Sequence, residues 1–250
     1  MKSAVRVSAL TKRFGALLVT DKVSLEIAPG ELHAVIGPNG AGKTTLINQL
    51  SGELRSDSGQ IFFGDKEVTR SPIHKRVRAG LLRSYQITSI FESFTVLENV
   101  TLAAIGAKSH AFGFWKPMLS KEKSVQQALE AIEATGLAGK ARLTAGELGY
   151  GERRQLELAM SLAAAPQILL LDEPMAGMSA QEAAAVTKLL QSLKNKYAIL
   201  LVEHDMDAVF ALADRITVLD YGKVMFTGTP DEVRNHPEVR AVYLGEESVA

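Results

Sequence analysis

Gly37-Pro38-Asn39-Gly40-Ala41-Gly42-Lys43-Thr44-Thr45 decides how this chain folds. The residues before it, Glu31-Leu32-His33-Ala34-Val35-Ile36, read as a buried strand that ends at Gly37. Those after it, Thr44 to Ser51, set Leu46, Ile47 and Leu50 on one helical face. Strand, glycine-rich turn and helix form the context in which the pattern G-x-x-x-x-G-K-[ST] carries meaning. Glycines let the chain wrap so that successive backbone N–H groups point into one concavity, which suits an anion. The helix that follows adds its positive end, about half an elementary charge, toward the same point. All nine residues are therefore expected to contact a nucleoside triphosphate. Lys43 is expected to act as a point charge on its β- and γ-phosphates, and the Thr44 hydroxyl to ligate Mg²⁺.

Composition narrows what surrounds this loop. A chain of 250 residues, 46% of them hydrophobic, can bury a full core. The 28 basic and 28 acidic side chains cancel, so there is no electrostatic footprint for general nucleic-acid binding. With no cysteine, a disulfide framework and thiolate metal sites are excluded. The first residues, Met1 to Ser8, lack the apolar run of a signal peptide. No stretch approaches the roughly 18 apolar residues of a spanning helix. A soluble, cytoplasmic chain is the expectation.

Outward from the loop, Val5, Val7 and Ala9 alternate with polar residues, as do Val23, Leu25 and Ile27, which predicts two half-exposed antiparallel strands. Lys12-Arg13-Phe14-Gly15 turns between them. Gln60 to Phe63 reads as another strand, and His74-Lys75-Arg76-Val77-Arg78 as a solvated basic face. Leu81 to Tyr85 predicts a strand ending at Gln86. From there to about Leu148 the pattern is helical, with Val125, Ala128, Leu129 and Ile132 on one face of a helix over 121–135. A helix over 151–164, apolar strands at 168–172 and 198–202, and a hairpin around Tyr221-Gly222 complete the chain. Ser179 and Glu182 have capping-box spacing, and Asp205 is placed to cap the helix after His204. Apolar strands alternating with helices predict a parallel sheet covered on both faces.

Asp172-Glu173 closes the apolar strand Ile168-Leu169-Leu170-Leu171. Ligands of parallel sheets sit beyond the carboxyl ends of strands, so this pair is expected to face the phosphate loop. There Asp172 would hold Mg²⁺ through water, and Glu173 would orient and deprotonate an attacking water. Upstream, Leu148-Gly149-Tyr150-Gly151-Glu152 opens the helix that precedes this strand.

In this order the motifs resemble those of the ATP-binding subunit of ABC transporters, over the whole length of the chain. Gly37 to Thr44 is similar to its Walker A loop and Ile168 to Glu173 to Walker B with the catalytic glutamate. Gln86 falls where the family has its Q-loop glutamine, a Mg²⁺ and catalytic contact, and His204 where it has the switch histidine. Phe14 is similar to the aromatic that stacks on adenine. Leu148, Gly149, Gly151 and Glu152 occupy the signature position, usually Leu-Ser-Gly-Gly-Gln. Gly149 replaces the signature serine and Tyr150 the first glycine. A hydroxyl bond to a charged phosphate is worth about 1.5–3 kcal/mol, so a slower or weaker site is expected, not a dead one. Ser179 stands where the family usually has the D-loop aspartate.

The resemblance implies an α/β P-loop NTPase with a mostly parallel sheet, an antiparallel β subdomain and an inserted helical subdomain. The expected divisions are a nucleotide-binding core over 1–86, a helical subdomain over 87–148 and a core continuation over 149–250. It implies ATP and Mg²⁺ as cofactors. The implied partners are a second ATPase subunit, identical or paralogous, and integral membrane permeases, which place the chain on the inner face of the cell membrane. Tyr85-Gln86, the run Phe91 to Val100, the loop around Phe112-Gly113-Phe114-Trp115 and the ending Val239 to Glu246 resemble ATPases of branched-chain amino acid uptake. The lipopolysaccharide-export ATPase shares the ending but not so long a helical-region loop. A soluble non-transport ATPase of the superfamily and a P-loop kinase are the further alternatives. The kinase would need neither Leu148 to Glu152 nor His204.

Overall fold

The computed structural model describes residues 3–83, 90–107 and 122–241. In chain order these form β1 (Val5–Phe14), β2 (Leu17–Ile27), β3 (Leu32–Ile36), α1 (Lys43–Ser51), β4 (Ser58–Phe63), β5 (Lys66–Glu67), α2 (Ile73–Arg78) and β6 (Leu81–Arg83). Then come α3 (Val96–Ala107), α4 (Glu122–Ala134), α5 (Tyr150–Ala163), β7 (Ile168–Asp172) and α6 (Ala180–Leu193). The chain ends in β8 (Ala198–Val202), α7 (Met206–Leu212), β9 (Arg215–Asp220), β10 (Lys223–Gly228), α8 (Pro230–Asn235) and α9 (Pro237–Val239). Its contacts divide it into two units, one of residues 1–83, 167–173 and 193–250, the other of residues 84–166 and 174–192.

The first unit is built on two sheets. The larger has the order β10-β9-β3-β8-β7-β6, and its strands are parallel apart from the β9–β10 hairpin. Every residue of β3, β7 and β8 is buried, as strands covered on both faces must be. Helix α1 lays Leu46, Ile47 and Leu50, all fully buried, into the core below the phosphate loop. The smaller, antiparallel sheet has the order β2-β1-β4-β5.

Two expectations fail here for local reasons. The inward alternation of β1 stops at Ala9, which is exposed with φ +49° and forms an irregularity in both pairings, so Leu10 turns inward instead. Arg76, read as part of a solvated face, is 2% exposed. Its guanidinium donates to the Gln49, Leu50, Thr69 and Ser71 carbonyl oxygens at 2.7–3.0 Å, which satisfies the C-terminal carbonyls of α1. Burial lowers its pKa to about 10, so it stays charged at neutral pH.

The second unit packs α3, α4 and α5 against one another. Val96, Val100, Ala128, Ile132, Leu156 and Ala159 are among its buried residues. The buried face of α4 runs through Ser124, Ala128, Ala131 and Ile132, and Leu129, expected on that face, is 42% exposed. Because α5 shares its apolar face with α3 and α4, it groups with them, as do residues 174–192. The division expected at residue 148 is therefore not where the chain divides. Among the described residues no helix is long and apolar enough to cross a membrane.

Candidate functional site

Three parallel strands bring the first unit's chemistry to one edge. β3, β8 and β7 lie side by side, and one row of residues runs Val35, Val202, Asp172 across them. Their carboxyl ends lead directly into Gly37, Glu203-His204 and Glu173. The phosphate loop, His204 and the acid pair thus project from the same edge.

The loop closes against its surroundings through glycines. Gly37 has φ +150°, and a Cβ there would fall 2.1 Å from the Leu219 carbonyl oxygen. Gly42, the residue before α1, has φ +101°, and its Cβ would fall 2.5 Å from the Val19 oxygen. Lys43 is 6% exposed, and its Nζ donates to the Gly37 and Pro38 carbonyls at 2.6 and 3.0 Å. Burial holds its pKa below the usual lysine range, while Glu173 and Asp172 pull the other way. Thr44 is exposed at the first turn of α1, and Thr45 is half-buried. Phe14 ends β1 with its side chain half exposed, paired to Leu17 of β2, two residues from Val19. The strand end that carries this aromatic therefore lies beside the loop. The Lys12 ammonium stands 5.5 Å over its ring.

Asp172 is 6% exposed, and burial raises its pKa while Arg83 opposes the rise. Arg83 Nη2 donates to Asp172 Oδ2 at 3.0 Å. Glu173 adopts φ +49°, a conformation costly for any residue but glycine, and its N–H donates to the Val202 oxygen at 2.8 Å. This backbone aims the Glu173 side chain at His204, with Oε1 and Nε2 2.8 Å apart. The Glu203 carboxylate accepts from the His204 backbone N–H at 2.9 Å. The Lys43 ammonium, held at the loop carbonyls, and the exposed Thr44 hydroxyl fit a polyphosphate. A single hydroxyl and a single carboxylate fit Mg²⁺, which takes one or two protein oxygens and completes its shell with phosphate and water. Among the described residues no group of three His, Cys, Asp or Glu forms a metal cage.

The second unit carries the signature segment. Gly149 precedes α5 with extended dihedrals, and its N–H donates to Glu152 at 3.1 Å. Glu152 also pairs with Lys140, so it caps the helix from within. Leu148 is 4% exposed. Tyr150 lies half exposed, its hydroxyl donating to the Ala176 oxygen at 3.2 Å. Gly151 is closed in by Glu182 of α6: a Cβ there would fall 2.2 Å from Glu182 Oε1. Glu182 accepts from the Ser179 hydroxyl and N–H and from the Gly151 N–H, which hold its pKa low. A cavity of about 370 Å³ opens here, lined by Gly149, Gly151, Gln155, Gln181 and Glu182 among others.

Of the residues singled out from sequence, the loop residues, Asp172, Glu173 and His204 meet at one edge of the first unit. Gly149, Gly151 and Glu152 lie together in the second. Gln86 lies outside the described residues. Sequence reasoning missed Arg83 and the reach of Glu182 to Gly151. Nothing in spacing signals a strand arginine meeting a carboxylate 89 positions later.

Comparison with known proteins agrees with this architecture. Residues 20–176 match the sequence model described as ABC transporter. Residues 223–249 match that of the branched-chain amino acid ATP-binding cassette transporter. The chain is 36% identical over 249 residues to the high-affinity branched-chain amino acid transport ATP-binding protein LivG of Escherichia coli, covering 96% of this chain and 97% of that protein. The corresponding protein BraF of Pseudomonas aeruginosa is also 36% identical over 249 residues, covering 97% and 98%. The crystal structure of the ADP conformation of an ATP-binding cassette of an ABC transporter superposes with a TM-score of 0.86 at 29% identity, covering 98% of this chain and 99% of that one. By its phosphate loop, its acid pair and these relatives, the chain belongs to the ABC transporter family, as an ATP-hydrolysing cassette.

Proposed function

We propose that the chain powers uptake of branched-chain or other hydrophobic amino acids through separate permease subunits at the inner face of the cell membrane. The observation that carries the chemical half of this reading is the Glu173–His204 contact of 2.8 Å at the strand edge that also bears the phosphate loop. The loop N–H groups and Lys43 bind the triphosphate, and Phe14 stacks on adenine. Thr44, Asp172 and Gln86 hold Mg²⁺, which when bound neutralises charge on the transferring phosphoryl group. Glu173 takes the proton of the attacking water, and His204, hydrogen-bonded to it, fixes its orientation and faces the γ-phosphate.

Two copies, or this chain and a paralogue, are proposed to sandwich ATP between Lys43 of one and the Gly149–Gly151 segment of the other. Gly149 brings no hydroxyl there, so closure relies on the α5 N-terminus, whose Gly149 and Gly151 N–H groups must exchange their bonds to Glu152 and Glu182 for the phosphate. The cargo is supported by similarity to LivG and BraF along nearly the whole chain and by the match over residues 223–249. The half-exposed Phe91, stacked on Phe94 at 5.2 Å, gives the permease an aromatic surface in the second unit.

The test is purification of the tagged chain from detergent-solubilised membranes and reconstitution of what accompanies it in proteoliposomes. ATP-driven uptake of radiolabelled leucine, abolished by Glu173→Gln, is the expected result. Co-purification without uptake of leucine, isoleucine or valine overturns the cargo. Absence of any membrane permease overturns the partnership.

A further inference from the structure

Arg83 ends β6, beside Leu170 of β7 and three residues before Gln86. It reaches across the edge of the sheet with both amino groups. Nη2 donates to Asp172 Oδ2 at 3.0 Å, and Nη1 donates to Asn48 Oδ1 at 2.6 Å and to Glu53 Oε2 at 2.9 Å. The Arg83 side chain is 10% exposed and the Asp172 side chain 6%. Anchors on α1, on the turn just after it and on β7 fix a planar group, and a planar group fixes the plane of the carboxylate it binds. One oxygen of Asp172 is thereby committed to Arg83, which leaves Oδ1 for a ligand.

We infer that Arg83 is a positioning residue, which orients the Asp172 carboxylate so that a single oxygen is presented to Mg²⁺ or its water. This rests on the reading that Asp172 serves Mg²⁺. A purely structural bridge is the simpler alternative, but β6 and β7 are already joined by their ladder. The ion pair also stands at the carboxyl edge where ligands bind, not in mid-sheet. A cation that merely competed with Mg²⁺ would have no need of Asn48 and Glu53 to hold it in one orientation.

These alternatives differ in sign. Outer partners that orient a metal-binding group typically change metal affinity by about 10–100-fold. The measurement is binding of fluorescent mant-ADP with and without Mg²⁺, read as the ratio of the two affinities, together with thermal unfolding. For Arg83→Gln the Mg²⁺-dependent gain is expected to fall about tenfold or more, with Mg²⁺-free affinity unchanged. Arg83→Lys, which reaches Asp172 but cannot hold the α1 anchors at the same time, lies between that and the native protein. Glu53→Ala removes an outer anchor at a partly exposed position and moves the ratio in the same direction by less, which keeps the test open should Arg83→Gln fail to fold. An unchanged ratio, a larger one (competition), or equal loss with and without Mg²⁺ (structural support alone) overturns the inference. If the native protein itself shows no Mg²⁺-dependent gain, the role of Asp172 fails first, and the two failures are told apart.

Discussion

Glu173 sits at φ +49° immediately after β7, and this backbone has a consequence separable from its chemistry. The left-handed conformation costs an ordinary L-residue about 1–2 kcal/mol, while glycine adopts it freely. Glu173→Ala and Glu173→Gly both delete the carboxylate and its bond to His204, so those losses cancel between them. What differs is backbone strain, retained by alanine and relieved by glycine. Glycine carries a handicap of about 0.5–1 kcal/mol from the freedom of its unfolded chain. The difference leaves Glu173→Gly more stable than Glu173→Ala by roughly 0.5–1 kcal/mol, the reverse of the usual order. In a chain of this size that is about 1–4 °C in Tm, within reach of urea or thermal unfolding followed by circular dichroism. Both variants are expected to lose about 10²–10⁴-fold in ATP turnover, so stability and activity move independently. Alanine equal to or more stable than glycine would refute the claim that strain at this residue aims the carboxylate.

Other consequences follow from named contacts. Gly42→Ala puts a Cβ 2.5 Å from the Val19 oxygen at φ +101°, so it should cost at least about 1–2 kcal/mol in urea unfolding and weaken mant-ADP binding. Arg76→Ala strands the buried Gln49 and Leu50 carbonyls, each worth about 1–3 kcal/mol, and should lower stability by about 3 kcal/mol while leaving the m-value unchanged. Carboxylates held low lose their contribution only below the ordinary carboxylate range, while Asp172, raised by burial, works in the opposite sense. Ser179 holds Glu182 low and Thr229 holds Glu232 low. In Glu31, burial pushes upward but the His33 and Ala28 hydrogen bonds prevail. A lowered native pKa gives stability that is present above the unfolded value and lost as pH falls through the native one. Tm should therefore be nearly flat from about pH 7 to 5 and fall below about 4.5.

How much of this was legible in sequence depends on how local the cause was. The phosphate loop, the strand at Ile168–Asp172 and the caps at Ser179 and Asp205 are set by residues within a few positions of one another, and the structure has them where the pattern put them. Arg76 was misread because a basic run on a short helix looks solvated. Only the meeting of α2 with the end of α1 shows that carbonyls were waiting for it. Leu129 fits the helical period, yet the partners α3 and α5 select the adjacent face through Ala131. At Ala9 the period-2 pattern continues through an irregularity that only the pairing with β2 and β4 defines. Arg83 and Glu182 were invisible because their partners lie on other elements.

The central claim is that the loop ending in Lys43 grips the phosphates of ATP opposite the Asp172-Glu173 pair. Its most direct test is mant-ATP binding and phosphate release by the native protein and by Lys43→Ala. One charge-assisted contact is worth about 1.5–3 kcal/mol, so affinity should fall at least about tenfold and phosphate release should drop to background. Equal affinity and turnover in the two proteins would contradict the account.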